Sequence, residues 1–169
     1  INTEHLCAID IGQSGSRYWF NGELTSLSRG MFAGEPVEET LDAILSQVSF
    51  KASTVALSLT GLYGDVGDVS RFLKVCAKHL GANQVAVIDD GLANLAGSLQ
   101  GEKGVALTLG GGVVAIGGNG ELLSHSDGLS SHFGDEGSGY WLGSRGLTRA
   151  LATRDQRDNH VGLMEFFSD

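Results

Sequence analysis

The spacing of apolar and polar positions changes along the chain, and each change marks an element. Three short apolar runs, about His5–Asp10, Ser16–Phe20 and Glu23–Ser28, read as strands, with Asn21-Gly22 as a two-residue hairpin signal between the last two. Behind Pro36, placed where a first helical turn tolerates it, Val37, Leu41, Ile44, Leu45 and Val48 recur at helical spacing. Thr54–Leu59 is a continuous strand-type run, followed by a loop at 60–65. A helix is then expected from about Val66 to Leu80, with Val69, Phe72, Leu73, Val75, Cys76 and Leu80 inward. Val85–Ile88 is the next buried strand; it ends at Asp89-Asp90, where Leu92, Leu95, Ala96 and Leu99 begin another helical face. A meander followed by alternating strands and helices implies an α/β unit with a mixed sheet, its far half joined by parallel crossovers.

From about residue 101 the chain repeats its own opening. Gly104–Leu109, Val113–Gly117 and Glu121–His125 read as a second meander, with Asn119-Gly120 echoing Asn21-Gly22. A glycine-laced loop over 126–139 leads to a helix from about Tyr140 to Leu151, with Leu142, Leu147, Ala150 and Leu151 on one face, and a helical pattern closes the chain at 166–169. The expected organisation is a complete βββαβα unit in residues 1–100 and the opening βββα of a second, incomplete copy in residues 101–169.

Each meander carries the same device, an apolar strand running into a glycine-rich turn and out into another strand. The two turns are Gly12-Gln13-Ser14-Gly15 after Asp10-Ile11, and Gly110-Gly111-Gly112 before Val113. Without a Cβ, glycine lets backbone N–H groups close on an anion, so two such turns facing each other would hold a nucleotide's phosphates from both sides. A glycine run serving only a tight turn is the alternative.

Composition narrows the partners. The 169 residues include 41% hydrophobic positions, a single proline and 26 glycines without a collagen-like period, which argues for a packed globular protein. A net charge of −9, with 11 Lys and Arg scattered along the chain, argues against a nucleic-acid surface. No apolar run reaches the ~18 residues that span a membrane, and no basic-then-apolar leader precedes the first strand, so a cytoplasmic location is expected. Cys7 and Cys76 show no metal-site spacing and read as buried reduced thiols, and the five histidines show no HxH or HxxxH spacing.

Residues 134–143, Gly-Asp-Glu-Gly-Ser-Gly-Tyr-Trp-Leu-Gly, closely match the GDEGSGYWIG segment of the BadF/BadG/BcrA/BcrD-type ATPase and N-acetylglucosamine kinase family. Ile88-Asp89-Asp90 and the two glycine turns fall where that family has its strand-ending Asn/Thr-Asp and its two phosphate loops. The chain therefore resembles the front half of a member of this family, within the actin, Hsp70 and sugar kinase superfamily. The resemblance implies a ribonuclease H-like (actin-like ATPase) fold, ATP and Mg²⁺ as cofactors, and a sugar-like small-molecule acceptor.

Residue by residue, the resemblance gives Asp10 the divalent cation, usually through water; a carboxylate capping the turn amides is the alternative. Gly12, Gln13 and Ser14 would form the first phosphate loop, with Gln13 in place of a family glycine. Gly110, Gly111 and Gly112 would form the second, where the family's two hydroxyls are gone. Asp90 would receive the acceptor's proton, against the alternative that it starts the helix containing Leu92, Asp89 being the expected cap. Asp135 would bind acceptor hydroxyls, with Val113, Gly128 and Ser130 on the same side; it could equally cap the helix starting near Ser138. Tyr140 and Trp141 are expected in the core. His125 and His132 lie in the loop leading to Asp135. The acceptor side departs from the family at Asp127-Gly128-Leu129-Ser130-Ser131 and in the loop 29–34.

Three functions follow as candidates. The first is an ATP-dependent kinase phosphorylating a hydroxyl of a sugar or amino sugar such as N-acetylglucosamine. The second is a degenerate member that binds a sugar or partner without catalysis. The third is an ATPase activator of a reductase or dehydratase, which needs thiolates for an iron–sulfur cluster that Cys7 and Cys76 are poorly placed to supply. Apolar faces left by an incomplete second copy predict a homodimer or a longer chain, with little kinase activity in isolated residues 1–169.

Overall fold

The computed structural model describes residues 5–27, 29–32, 34–62 and 65–168. The expected strand end at Ser28, position 33 of the following loop, positions 63 and 64, and the C-terminal residue of the closing helical pattern lie outside them. The chain divides into two compact units, Ile1–Ala96 and Gly97–Asp169.

In the first unit the apolar alternation becomes a five-stranded mixed sheet. Strands β1 (Leu6–Ile11), β2 (Ser16–Phe20) and β3 (Glu23–Leu27) form an antiparallel meander, and β4 (Thr54–Leu59) and β5 (Gln84–Asp89) add in parallel beside β1, giving the order β3-β2-β1-β4-β5. Phe20 pairs with Glu23, so Asn21 and Gly22, both at positive φ, make the two-residue turn that the dipeptide predicts. Cys7, Ile9 and Ile11 of β1 and Val55, Leu57 and Leu59 of β4 point to one face and are buried. Leu41, Ile44 and Leu45 of α1 (Val37–Leu45) and Phe72, Cys76 and Leu80 of α2 (Ser70–Leu80) join them in one core. Each such fully buried side chain contributes roughly 1.5–3 kcal/mol relative to exposure. Because side chains alternate along a strand, Asp10 and Ser58 fall on the opposite face from this core.

Two boundaries differ from the pattern's expectation. Helix α2 starts at Ser70 rather than Val66: the carboxylates of Asp65 and Asp68 accept the N–H groups of Gly67 and Ser70, each at 2.9 Å, in competition with helical bonding over 65–68. Helix α1 ends at Leu45, and Val48 follows in a turn closed by its N–H to the Leu45 carbonyl. Helix α3 (Asp90–Leu99) leaves β5 without a connecting loop.

The second unit is an antiparallel sheet of β6 (Gly104–Leu109), β7 (Val113–Gly118) and β8 (Leu123–Asp127), followed by α4 (Gly139–Arg154) and a short α5 (Val161–Phe166) packed on α4. Here the second Asn-Gly pair does not make a two-residue turn. Gly118 pairs with Leu123, and the Asn119 side chain accepts the N–H groups of Glu121 and Leu122 at 2.9 and 2.7 Å, so the turn spans 119–122 and β8 begins two residues later than expected. Alternate residues Val105, Leu107 and Leu109 of β6 are exposed. Of the face expected to carry Leu142, Leu147, Ala150 and Leu151, helix α4 buries Ala150 within this unit and leaves the three leucines exposed, because an apolar stripe is buried only where another element covers it.

Candidate functional site

In the first unit, β1, β4 and β5 run parallel, and their C-terminal ends bring Asp10, Ser58, Asp89 and Asp90 together. Asp10 does not cap the adjacent turn. Its Oδ1 accepts from the Ser58 hydroxyl at 2.7 Å, and its Oδ2 from Nε and a terminal nitrogen of Arg17 at 3.1 and 2.9 Å, across the β1–β2 register.

The first glycine turn closes on itself, the Gly12 N–H donating to the Gly15 carbonyl at 3.0 Å, and leaves Gln13 and Ser14 exposed. A second segment holds it from behind. The Met31 N–H donates to the Gly12 carbonyl at 3.0 Å, and Gly30 lies so close that a Cβ there would meet the Gly12 carbonyl oxygen at 2.3 Å. The Arg29 guanidinium reaches both carboxylate oxygens of Glu35 at 2.7 Å, folding the loop that carries Gly30. The hydrogen bond from the Phe32 N–H, and after it the Arg29 guanidinium, hold Glu35 below the usual carboxylate range.

Asp90 is the first residue of α3. Asp89 and Asp90 both accept from the Gly91 N–H, at 3.1 and 2.9 Å, so the capping expected of Asp89 is shared. Burial pushes the Asp90 carboxyl above the ordinary range, and the negative charges of Asp89 and Asp10 push the same way. Hydrogen bonds from the buried Thr60 hydroxyl and the Gly91 N–H pull only part of the way back. A half-buried carboxylate following a strand end, with its pKa raised by burial and like charges, is a candidate proton acceptor.

Among the described residues no group of three or more His, Cys, Asp and Glu side chains forms a metal cage. The donors present suit a different mode: Mg²⁺ keeps most of its waters and takes one or two carboxylates, and Asp10 lies near enough to Asp90 to raise its pKa. An ion there would displace Arg17 from Asp10 or share the carboxylate with it.

In the second unit, the second glycine turn is tied to the start of α4. The Gly139 N–H donates to the Gly110 carbonyl at 2.8 Å, and the Gly110 N–H to the Gly112 carbonyl at 2.9 Å. The buried Asp135 carboxylate accepts the Val113 N–H through Oδ1 at 2.8 Å, while the Val113 carbonyl accepts the Gly128 N–H at 2.8 Å. Val113, Gly128 and Asp135 therefore meet around the turn. Ser130 lies in the approach loop, its carbonyl accepting from the N–H groups of Phe133 and Gly134.

The capping role considered for Asp135 belongs to Ser138, which is buried, extended at φ −66° and ψ 165°, and accepts the Trp141 N–H at 3.0 Å. Asp135 stands three residues before that cap at φ +61°, its carboxylate on the Val113 N–H. Tyr140 and Trp141 are not core residues of this unit: with Leu129, Phe133 and Arg145 they line an open cavity of about 590 Å³, and the Arg145 guanidinium stacks over the Trp141 ring. His132 lines it too, whereas His125 lies beside Gly128.

Sequence reasoning missed Gly30, Arg17, Ser58, Thr60 and Asp127. Arg17 and Ser58 were legible in principle, since alternation and strand pairing put them beside Asp10. Gly30 and Asp127 carry no local signal. Asp127 accepts the Asp135 N–H at 2.8 Å, a contact set by a loop containing Asp127, Gly128, Ser130 and Asp135 at positive φ.

A family model described as the BadF/BadG/BcrA/BcrD ATPase family matches residues 10–162. Among solved structures, a candidate N-acetylglucosamine kinase from Chromobacterium violaceum is similar at 24% identity and a TM-score of 0.62, over 94% of this chain and 60% of that one. A candidate N-acetylglucosamine kinase from Porphyromonas gingivalis is similar at 16% identity and a TM-score of 0.69, over 88% of this chain and 57% of that one. The chain thus spans about three fifths of these proteins' length. No curated protein sequence matches it significantly. Among the described residues no helix is long and apolar enough to cross a membrane.

Proposed function

This chain belongs to the BadF/BadG/BcrA/BcrD ATPase family, and we propose that it carries the phosphate-binding and base residues of an ATP-dependent kinase that phosphorylates a hydroxyl of a small sugar-like molecule. The observation that carries the proposal is Asp90: a carboxylate with a raised pKa, bonded by Thr60, at the C-terminal edge of the parallel strands beside Asp10 and near the first glycine turn. In the proposed reaction the acceptor oxygen forms a bond to the γ-phosphorus as the bond to the β-phosphate oxygen breaks. Asp90 takes the acceptor's proton, and ADP carries away the electron pair of the broken bond. Gly12, Gln13 and Ser14 offer one set of backbone amides to phosphate, and Gly110, Gly111 and Gly112 another. Asp10 would hold a hydrated Mg²⁺, which neutralises phosphate charge when bound.

On the acceptor side the proposal assigns Asp90, Val113, Gly128 and Ser130, with an amino sugar such as N-acetylglucosamine as the first acceptor to test. Residues 101–169 would open a second actin-like domain following the first in 1–100. Its exposed row Val105, Leu107 and Leu109 would be covered by a further part of a longer chain or by a second copy. We place the reaction in the cytoplasm. In the full-length protein Asp90→Asn should abolish nucleotide-dependent phosphorylation while far-UV circular dichroism and thermal unfolding persist; retained turnover in that variant would remove Asp90 from the chemistry.

One observation favours a second reading, a non-catalytic binding member: both oxygens of Asp10 are already engaged, by Ser58 and Arg17. Calorimetry separates the two, since heat with a sugar but none with ATP and Mg²⁺ would select the binding module. The activator reading finds no support in the cysteines, because Cys7 and Cys76 are buried in the core of the first unit and burial raises both thiols, to about 12 and about 11.

A further inference from the structure

The acidic residue of the segment 134–139 is held in an unusual way. Asp135 is 8% exposed, and its backbone is fastened at both ends: its N–H donates to Asp127 Oδ1 at 2.8 Å and its carbonyl accepts the Ser138 N–H at 3.0 Å. Its left-handed φ of +61° turns the side chain toward the second glycine turn, where Oδ1 takes the Val113 N–H at 2.8 Å. Gly112 leaves the space for this. A Cβ at position 112 would meet Oδ1 at 2.9 Å and the other two carboxylate atoms at 3.2 Å. Four residues past Asp135, the Gly139 N–H fixes the Gly110 carbonyl at 2.8 Å. One short segment therefore grips the turn at its first residue and just beyond its last.

From this geometry we infer that Asp135 is a positioning residue for the second glycine turn, a carboxylate latch that fixes the amides of Gly111 and Gly112 for a phosphate. The inference rests on the kinase reading above. A carboxylate–amide bond is charge-assisted and directional, and in a buried setting it is stronger than a neutral one. It fits the task because a glycine-rich turn has little rigidity of its own. The latch and the glycine depend on each other, because the carboxylate occupies the place a Cβ at Gly112 would take.

Calorimetric titration of the full-length protein with ATP and Mg²⁺, together with steady-state kinetics on N-acetylglucosamine, tests the inference. Asp135→Ala should weaken nucleotide binding at least about tenfold. Asp135→Asn, which keeps an acceptor oxygen, should restore nucleotide affinity to within about threefold. Gly112→Ala should reproduce the loss seen in Asp135→Ala, and the double variant should be no worse than either single one, because each removes the same contact. Amide exchange followed by NMR should quicken at Val113 in Asp135→Ala and Gly112→Ala but not in Asp135→Asn, which shows that the variants fold and which bond was lost. A rise in acceptor KM with nucleotide affinity unchanged, or additive losses in the double variant, would overturn the latch. Absence of nucleotide binding by the wild-type chain would instead overturn the kinase reading, and the latch with it.

Discussion

Gly30 gives the sharpest test of how the first glycine turn is supported. A methyl group at this position would lie 2.3 Å from the Gly12 carbonyl oxygen, 2.5 Å from that of Gln13 and 2.6 Å from the Gly15 nitrogen, all of them backbone atoms with no rotamer to escape into. Reaching an ordinary contact of about 3.3–3.6 Å requires a displacement of roughly 1 Å, either of the turn or of the segment carrying Gly30. Overpacking of this kind costs about 1–3 kcal/mol. If the segment withdraws, the bond from the Met31 N–H to the Gly12 carbonyl is lost as well, adding about 1 kcal/mol. Gly30→Ala should therefore lower unfolding free energy by about 2–4 kcal/mol in urea titration followed by circular dichroism, a large share of a typical domain's stability. Where folded protein is retained, turnover should fall by about 10²-fold, the usual consequence of a 1 Å misplacement. Gly15→Ala is the control: it lies in the same turn, but a Cβ there meets nothing within 4 Å, so its stability should stay within about 0.5 kcal/mol of wild type. A Gly30→Ala protein as stable as wild type with unchanged nucleotide affinity would refute the packing argument.

Other expectations follow from single groups. Because the folded-state pKa of Asp90 is raised, the native chain keeps this proton above the unfolded value of about 3.9, so stability falls as pH rises through the window from there to the folded pKa. Asp90→Asn should be at least as stable as wild type at pH 7, with the advantage shrinking toward pH 4 in urea midpoints; a less stable variant at pH 7 would count against the desolvated, repelled carboxylate. The same shift predicts kinase activity that rises with pH as Asp90 loses its proton, measured as kcat/KM. Ser138→Ala removes the buried cap of α4 and should cost about 1 kcal/mol, read from thermal unfolding. Cys7 and Cys76, raised to about 12 and about 11 by burial, should resist a thiol reagent at pH 8 in the native protein and react once it is unfolded in guanidinium.

Much of the fold follows from local chemistry. The apolar runs at about His5–Asp10 and Thr54–Leu59 marked two core strands, found at Leu6–Ile11 and Thr54–Leu59, and the helical spacing of Phe72, Cys76 and Leu80 dictated the face of α2 that is buried. Asn21-Gly22 dictated its turn, because strands of matching apolar phase flank it. The same dipeptide at 119–120 did not, because the Asn119 side chain found two amides to accept and lengthened the turn. Helix starts shifted for the same reason at Asp65 and Asp68: short polar side chains compete with the helix for backbone N–H groups, and a periodicity of apolar residues does not register that competition.

The candidate chemistry divides along a similar line. Residue type and position within an element already marked Asp10, Asp90 and the two glycine turns, since strand ends and glycine runs are local features. What each group touches was decided in three dimensions. Ser58 reaches Asp10 across 48 residues and Val113 reaches Asp135 across 22, while Gly30 matters only because the first turn lies against it. Local propensity acts over a few residues, whereas a hydrogen bond or a steric limit between distant segments exists only once the sheet and loops have brought them within about 3 Å. The sequence by itself determined the elements and named the acidic residues; the tertiary structure gave Asp90 its raised pKa, moved the cap of α4 from Asp135 to Ser138, and turned Asp135 onto the second glycine turn.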